Sequence, residues 1–102
     1  MTAERFVNTV GDTVEAMRWT GDNTRDVALW AEPTLAPYAL PEGWWLRQHI
    51  APTGNYFTLV LPCRGSEQDA RVGDWIVKQA SGFLPVAPYV VRQLYTKIPE
   101  GV

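Results

Sequence analysis

The sequence contains a single histidine, His49, and a single cysteine, Cys63. A metal site built from several histidines is therefore excluded, and a nucleophile and base pair would require Cys63 to lie beside His49. A predicted hairpin turn at Thr53-Gly54 stands between them and could bring the two side chains together. Because such a pair also needs an orienting third group and an oxyanion site, we favour the alternative of a buried, inert thiol and an exposed imidazole.

The carboxylates that could pair for acid-base chemistry are Asp12, Glu15, Asp22, Asp26, Asp69 and Asp74. Most of them fall at predicted turns and helix caps, where Asp accepts local backbone hydrogen bonds. The glycines are spread singly along the chain and form no phosphate-binding loop or dinucleotide fingerprint. We therefore expect a non-enzymatic protein with no metal and no cofactor.

Aromatic residues are the most unusual feature of the composition, with five Trp in 102 residues. We expect most of them in the core, but adjacent strand residues point to opposite faces, so one Trp of the Trp44-Trp45 pair must leave the core or enter a second layer. Trp and Arg dominate the energetics of protein interfaces. The predicted partner-binding residues are Trp44, Trp45, Arg47, His49 and Tyr38. The alternative is that the proline-rich loop 33–43 folds over Trp45.

Length and charge narrow the class of protein further. We expect residues 1–102 to form one domain, because a chain of this length buries enough surface for a single core. The formal net charge is −2 and the charges are interspersed, so we expect no nucleic-acid binding. The segment from Met1 to Arg5 leads into no apolar run and no window is long enough to span a membrane. With its lone cysteine, the chain is expected to be a soluble protein of a reducing compartment.

The sheet is predicted to be organised around a hairpin that follows a tight bend at Gly73-Asp74. Strand-favouring residues follow at Trp75 to Lys78, Ser81-Gly82 offers a turn, and Phe83 to Val86 can return as the partner strand. A helix is expected over Thr24 to Ala31, since apolar residues there recur at helical spacing. Asn23 or Asp22 would cap this helix, and Pro33 would end it.

The remaining elements are predicted from alternation and from proline positions. The expected strands are a short one at Phe6-Val7 and longer ones at Thr13–Thr20, Trp44–Ala51, Tyr56–Leu61 and Tyr95–Ile98. Cys63–Asp69 is expected to be a polar loop, and Pro88 to begin a short helix with Val90, Val91 and Leu94 facing inward. The prediction is an α+β fold of about five or six strands in a small curved antiparallel sheet or partly open barrel. One helix follows the first long strand and a short one lies near the C-terminus.

Three segments carry a resemblance to a known group of proteins. They are Val14 to Asn23 (VEAMRWTGDN), Val72 to Lys78 (VGDWIVK) and Gly82 to Val86 (GFLPV), followed by Pro88 and Tyr95. In this order and spacing the chain resembles a family of small proteins of tailed bacteriophages and prophages, which has no assigned activity. The resemblance implies a phage origin and no mechanism. With the reducing compartment expected from the lone cysteine, a phage origin would place the protein in the host cytoplasm. It does not extend over residues 33–62, which are richer in Trp and in apolar residues than the family pattern.

Our first hypothesis is a small phage-encoded accessory protein that binds a host or defence protein through the strand from Trp44 to Ile50 and the neighbouring loop. A virion or assembly component is the first alternative. The second is a small-ligand binder with a barrel mouth near His49 and Cys63. A homodimer through an exposed edge strand, such as Tyr56 to Leu61, also remains open.

Overall fold

The computed structural model of the protein describes residues 3–99, and two helices and eight strands lie within this range. The residues outside it include Met1 and Thr2, so the expectation about the N-terminal segment falls partly beyond the described residues. In chain order the elements are β1 (Glu4–Asn8), β2 (Thr13–Arg18), α1 (Thr24–Ala31), β3 (Trp45–His49), β4 (Tyr56–Cys63), β5 (Ser66–Ala70), β6 (Trp75–Gln79), β7 (Gly82–Val86), α2 (Pro88–Leu94) and β8 (Tyr95–Lys97).

All eight strands belong to one open, antiparallel sheet. Its order is β3-β4-β7-β6-β2-β1-β8, and β5 pairs with β4 outside this path. The predicted α+β class is therefore confirmed, including the helix after the first long strand and the short helix near the C-terminus. The strand number is higher than the five or six expected from the sequence.

The predicted central hairpin is present. β6 and β7 pair from Trp75 with Val86 to Gln79 with Gly82, and Ala80 and Ser81 form the connection. β6 also pairs with β2, placing Ile76 beside Met17. This hairpin therefore joins the two halves of the sheet.

The central strands are buried on both faces, as the mixed apolar pattern of β2 predicts. On one face, Met17 and Ile76 belong to a cluster with Val27 of α1 and with residues of β4. On the opposite face, Ala16 and Val77 pack in a second cluster beneath α2. Successive strand residues alternate between the two cores, so β2 and β6 serve both.

The first helix spans the predicted residues, but its cap differs from the expectation. Asn23 occupies the cap position, yet its side chain makes no hydrogen bond to the helix amides. Its Oδ1 accepts from the amide of Thr20 at 2.8 Å, and its Nδ2 donates to the carbonyl of Arg18 at 2.7 Å. The side chain of Asn23, 4% exposed, therefore ties the end of β2 to the turn instead of capping the helix.

The second helix begins at Pro88, as predicted, and only part of the expected inward stripe is buried. Val91 is 7% exposed and Val90 packs against the same cluster, whereas Leu94 is 48% exposed. Leu94 is the last residue of the helix, and the chain turns at once into β8, the predicted last strand, which pairs with β1. The prediction for Leu94 was therefore wrong.

The segment predicted as a polar loop contains a strand. Arg64 and Gly65 both have positive φ, 53° and 76°, and form a two-residue turn between Cys63 and Ser66. This geometry is typical of a tight hairpin. β5 therefore pairs with β4 along its whole length, and β3 pairs with the other side of β4. The prediction that Tyr56 to Leu61 is an exposed edge was wrong at Leu59 and Val60, which pair with both β3 and β5, whereas Tyr56 to Thr58 pair with β3 alone.

Candidate functional site

The three strands β3, β4 and β5 present a polar and aromatic surface that points away from the first core. Pairing across the strands sets its members: Trp45 lies opposite Val60, Arg47 opposite Thr58 and His49 opposite Tyr56, while Asp69 of β5 lies beside Val60. Paired residues of neighbouring strands project to the same face. We name this surface the outer face and define it by Trp45, Arg47, His49, Tyr56, Thr58, Glu67 and Asp69.

Trp45 and Arg47 form a stacked pair at one end of the outer face. Two residues apart on β3, they project to the same side, and the guanidinium carbon of Arg47 lies 4.7 Å from the centre of the Trp45 ring. Trp45 remains 42% exposed. A cation over an indole face is an attractive contact that also fixes the orientation of both side chains.

Two carboxylates of β5 hold Arg47 in place. Its Nη2 donates to Glu67 Oε2 at 2.9 Å, and its Nε lies 3.4 Å from Asp69 Oδ2. The Nε atom is itself buried and makes no hydrogen bond within the described residues. The guanidinium is therefore fixed between the indole on one side and two acids on the other.

A short chain of polar contacts crosses the strands beside this pair. Thr58, 3% exposed, donates its hydroxyl to Asp69 Oδ2 at 2.7 Å and lies 2.9 Å from His49 Nε2. Because the hydroxyl proton is directed to Asp69, Nε2 must carry the hydrogen that Thr58 accepts. The His49 ring also stacks on Tyr56 at 4.6 Å with an angle of 6°. This arrangement fixes His49 but gives Thr58 no free access to a substrate.

Trp44 does not belong to the outer face, which corrects its place among the predicted partner-binding residues. It is 7% exposed and its ring meets Phe83 edge to face at 5.0 Å in the first core. The alternation argument for the adjacent pair is confirmed, since Trp45 is on the exposed side. The proline-rich loop does not cover Trp45 completely.

Tyr38 is strongly exposed, and its ring contacts Arg25, which is not part of the outer face. Its exposed fraction is 86% and its φ is 67°, and the guanidinium carbon of Arg25 in α1 lies 5.2 Å from its ring centre. The loop therefore presents Tyr38 beside α1. Its role in binding stays a prediction.

The structure separates His49 from Cys63. His49 lies opposite Tyr56, the first residue of β4, and Cys63 is the last residue of that strand. Seven residues of extended chain span about 23 Å. Cys63 is buried and pairs with Gly82 of β7. A catalytic pair of these two residues, and a ligand site joining them, are therefore ruled out by the geometry.

Sequence reasoning missed four residues of the outer face, Tyr56, Thr58, Glu67 and Asp69. Tyr56 and Thr58 alternate with core residues of a predicted strand, so cross-strand pairing with β3 would have found them. The two acids were assigned to a loop. Gly65, followed by acidic residues at every second position, was the available indication of a hairpin turn.

The described part of the chain holds no group of three or more His, Cys, Asp or Glu side chains placed to bind a metal ion. None of the helices in residues 3–99 is long and apolar enough to cross a membrane. Comparison with known proteins gave no match to a family model, to a curated protein or to a solved structure. The geometry of the outer face is therefore the main indication of function.

Proposed function

We propose that this chain is a small phage-encoded accessory protein that binds a host or defence protein without catalysing a reaction. The binding surface is the outer face together with the free edge of β3. The partner contributes an extended segment that pairs with this edge and a pocket that receives Trp45.

The free edge of β3 is the observation that carries the proposal. Within the described residues β3 pairs with β4 alone and ends the path of the sheet. Apolar side chains are exposed there: Trp45 by 42% and Leu46 by 43% on the strand, and Ile50 by 84% directly after it. An exposed edge with apolar side chains is a template for an added strand, in which backbone hydrogen bonds give affinity and side-chain pockets give specificity.

The rigid arrangement around Arg47 also supports binding. A partner that meets long, mobile side chains must order them, at about 0.5–1.5 kcal/mol for each. Here Glu67 and Asp69 hold Arg47, and Arg47 in turn lies over Trp45. The central contact residues are therefore held in one orientation before a partner arrives.

A second copy of the chain fits this edge less well than a different protein. Arg47 is the middle residue of β3. Symmetric antiparallel pairing about the strand centre would place Arg47 of one copy opposite Arg47 of the other, and like charges in that position are destabilising. We therefore propose a hetero-complex in preference to the homodimer. Sedimentation of the purified chain should give a monomer.

The phage origin and the host cytoplasm belong to the same proposal. They are supported by the order and spacing of the segments Val14 to Asn23, Val72 to Lys78 and Gly82 to Val86. A buried free thiol at Cys63 suits a reducing compartment. The segment from Trp44 to Ile50, where the chain departs from the resembled family, is the part that forms the binding edge.

The test is affinity capture from bacterial host lysate with quantitative mass spectrometry. The wild type is compared with Trp45→Ala, Arg47→Ala and the control Tyr89→Ala, which removes another exposed aromatic ring, 61% exposed on α2. We expect one protein to be enriched by the wild type and by Tyr89→Ala and lost with the two β3 variants. Equal capture by all four proteins would overturn the proposal. Capture of phage structural proteins from a lysate of infected cells would replace it with a role in the virion.

A further inference from the structure

A cleft that shares no residue with the outer face lies where α2 and β8 meet the sheet. Its volume is about 400 Å³, and strands β1, β2 and β6 contribute its other walls. Ligand sites for small molecules have volumes of roughly 300–1,000 Å³. The cleft is therefore large enough for one small ligand.

Three aromatic rings line the base of this cleft. Phe6 is 5% exposed, and its ring centre lies 5.3 Å from that of Trp75 and 6.4 Å from that of Tyr95. Trp75 and Tyr95 are partly exposed and stand nearly perpendicular to Phe6, at 81° and 80°. Partly exposed faces of Trp and Tyr are suited to stacking against a planar ring.

The rim of the cleft is basic, although the chain as a whole carries a net charge of −2. Arg18, Arg92 and Lys97 line it together with one acid, Glu4, which forms an ion pair with Lys97. Arg18 donates from Nε to the carbonyl of Gly73 at 3.0 Å, which fixes the direction of its guanidinium. Because the charges of Lys97 and Glu4 offset each other, the guanidinium groups of Arg18 and Arg92 leave the cleft with a local positive charge.

We propose that this cleft binds a small anion that joins a planar ring to a phosphate or carboxylate group. The ring lies against Trp75 and Tyr95, and the anionic group is held by Arg18 and Arg92. A guanidinium binds both kinds of anion through two parallel hydrogen bonds, which adds direction to the charge attraction. A ligand with only a planar ring, or with only a negative charge, would contact just one of these two parts of the cleft.

Isothermal titration at constant ionic strength tests the proposal with four probes. Adenosine 5′-monophosphate and indole-3-acetate each join a ring to an anion, whereas adenosine has the ring alone and inorganic phosphate the charge alone. We expect at least one of the first two to bind with a stoichiometry of one, and adenosine and phosphate to bind at least about tenfold more weakly. Binding of adenosine 5′-monophosphate would indicate a phosphate ligand, and binding of indole-3-acetate a carboxylate ligand. Failure of both, or equal binding of inorganic phosphate, would overturn the proposal.

A matched pair of charge variants locates the site. Arg92→Gln removes an exposed cation at the rim of the cleft. Arg5→Gln is the control: Arg5 lies between Glu4 and Phe6 on β1, and its side chain projects to the opposite face, away from the cleft. We expect Arg92→Gln to weaken binding about tenfold and Arg5→Gln to leave it within about twofold. Equal losses in the two variants would mean that only the overall charge matters and would contradict the site.

A measurement on the unaltered protein does not depend on the folding of any variant. In proton–nitrogen spectra, the ligand that binds should shift the indole signal of Trp75 and leave that of Trp45 unchanged. Trp75 lines the cleft, whereas Trp45 lies on the outer face. A shift confined to Trp45 would overturn the assignment of the cleft.

Discussion

Arg47 lies over Trp45, with its guanidinium carbon 4.7 Å from the centre of the indole ring. They are two residues apart on an edge strand, so both project to the same side. Glu67 and Asp69 hold the far side of the guanidinium. Residues of β5 thus hold Arg47 against the exposed indole. A substitution in β5 can remove this support and leave the sequence of β3 unchanged.

Replacing Glu67 by Gln should separate binding from stability. The variant removes the charge that receives Arg47 Nη2 at 2.9 Å, while the side chains of this pair are 36% and 60% exposed. An exposed ion pair contributes roughly 0–1 kcal/mol to folding, so we expect the free energy of unfolding in urea to change by less than about 1 kcal/mol. Capture of the partner should nevertheless fall, because Arg47 regains its freedom. Normal capture by this variant would show that the hold on Arg47 is unimportant.

Thr58→Val should destabilise the protein although the side chains have similar shapes. The buried hydroxyl donates to Asp69 at 2.7 Å and lies 2.9 Å from His49. Its loss removes the contact that each residue makes to Thr58, while Asp69 Oδ2 keeps its ion pair with Arg47, and we expect a cost of about 1–3 kcal/mol. Urea unfolding is the measurement, and Thr96→Val is the control, because Thr96 is exposed on β8. Equal stabilities of the two variants would contradict the described contacts.

Gly82→Ala should be one of the most damaging small substitutions in the chain. Gly82 pairs with Cys63 in the contact that joins β7 to β4, its φ is +135°, and an added Cβ would lie 2.5 Å from the carbonyl oxygen of Pro62. Gly54→Ala is a matched control, since its φ is +126° but its Cβ would meet open space. The control should lose about 1–2 kcal/mol for backbone strain, and Gly82→Ala clearly more. Similar losses in thermal unfolding would rule out the close approach.

Truncation of the two adjacent tryptophans should destabilise the protein to very different degrees. Trp44→Ala removes a ring that is 7% exposed and packs on Phe83, so we expect a loss of about 3–5 kcal/mol in the free energy of unfolding. Trp45→Ala removes a ring that is 42% exposed and should cost far less. Denaturant titration of both variants checks the difference. A larger loss for Trp45→Ala would reverse the assignment of the two faces.

Elements with strong local patterns could be predicted from the sequence. The hairpin of β6 and β7 and the helix Thr24–Ala31 were found because turn residues, apolar spacing and Pro33 all indicate the same structure. β5 was missed because Ser-Glu-Gln-Asp-Ala has few strand-favouring residues. It becomes a strand because a tight turn at Arg64-Gly65 directs it along β4.

Only the part of the candidate site that lies on β3 could be predicted from the alternation of residues along a strand. Alternation along β3 places Trp45, Arg47 and His49 on one face. It does not reveal that Glu67 and Asp69 approach Arg47 from β5, because that contact depends on which strands flank β4. Likewise, Asn23 was expected to cap α1, but its buried position favours bonds to the preceding turn and strand.

Hydrogen exchange of β3 with and without the captured partner tests the central claim most directly. In the free protein, the amides of Trp45 to His49 that point away from β4 should exchange fast, since this edge is unpaired within the described residues. On binding, those amides should become protected at alternate positions, as an added strand requires. Unchanged exchange along β3, with new protection only at α2 or elsewhere, would contradict the account.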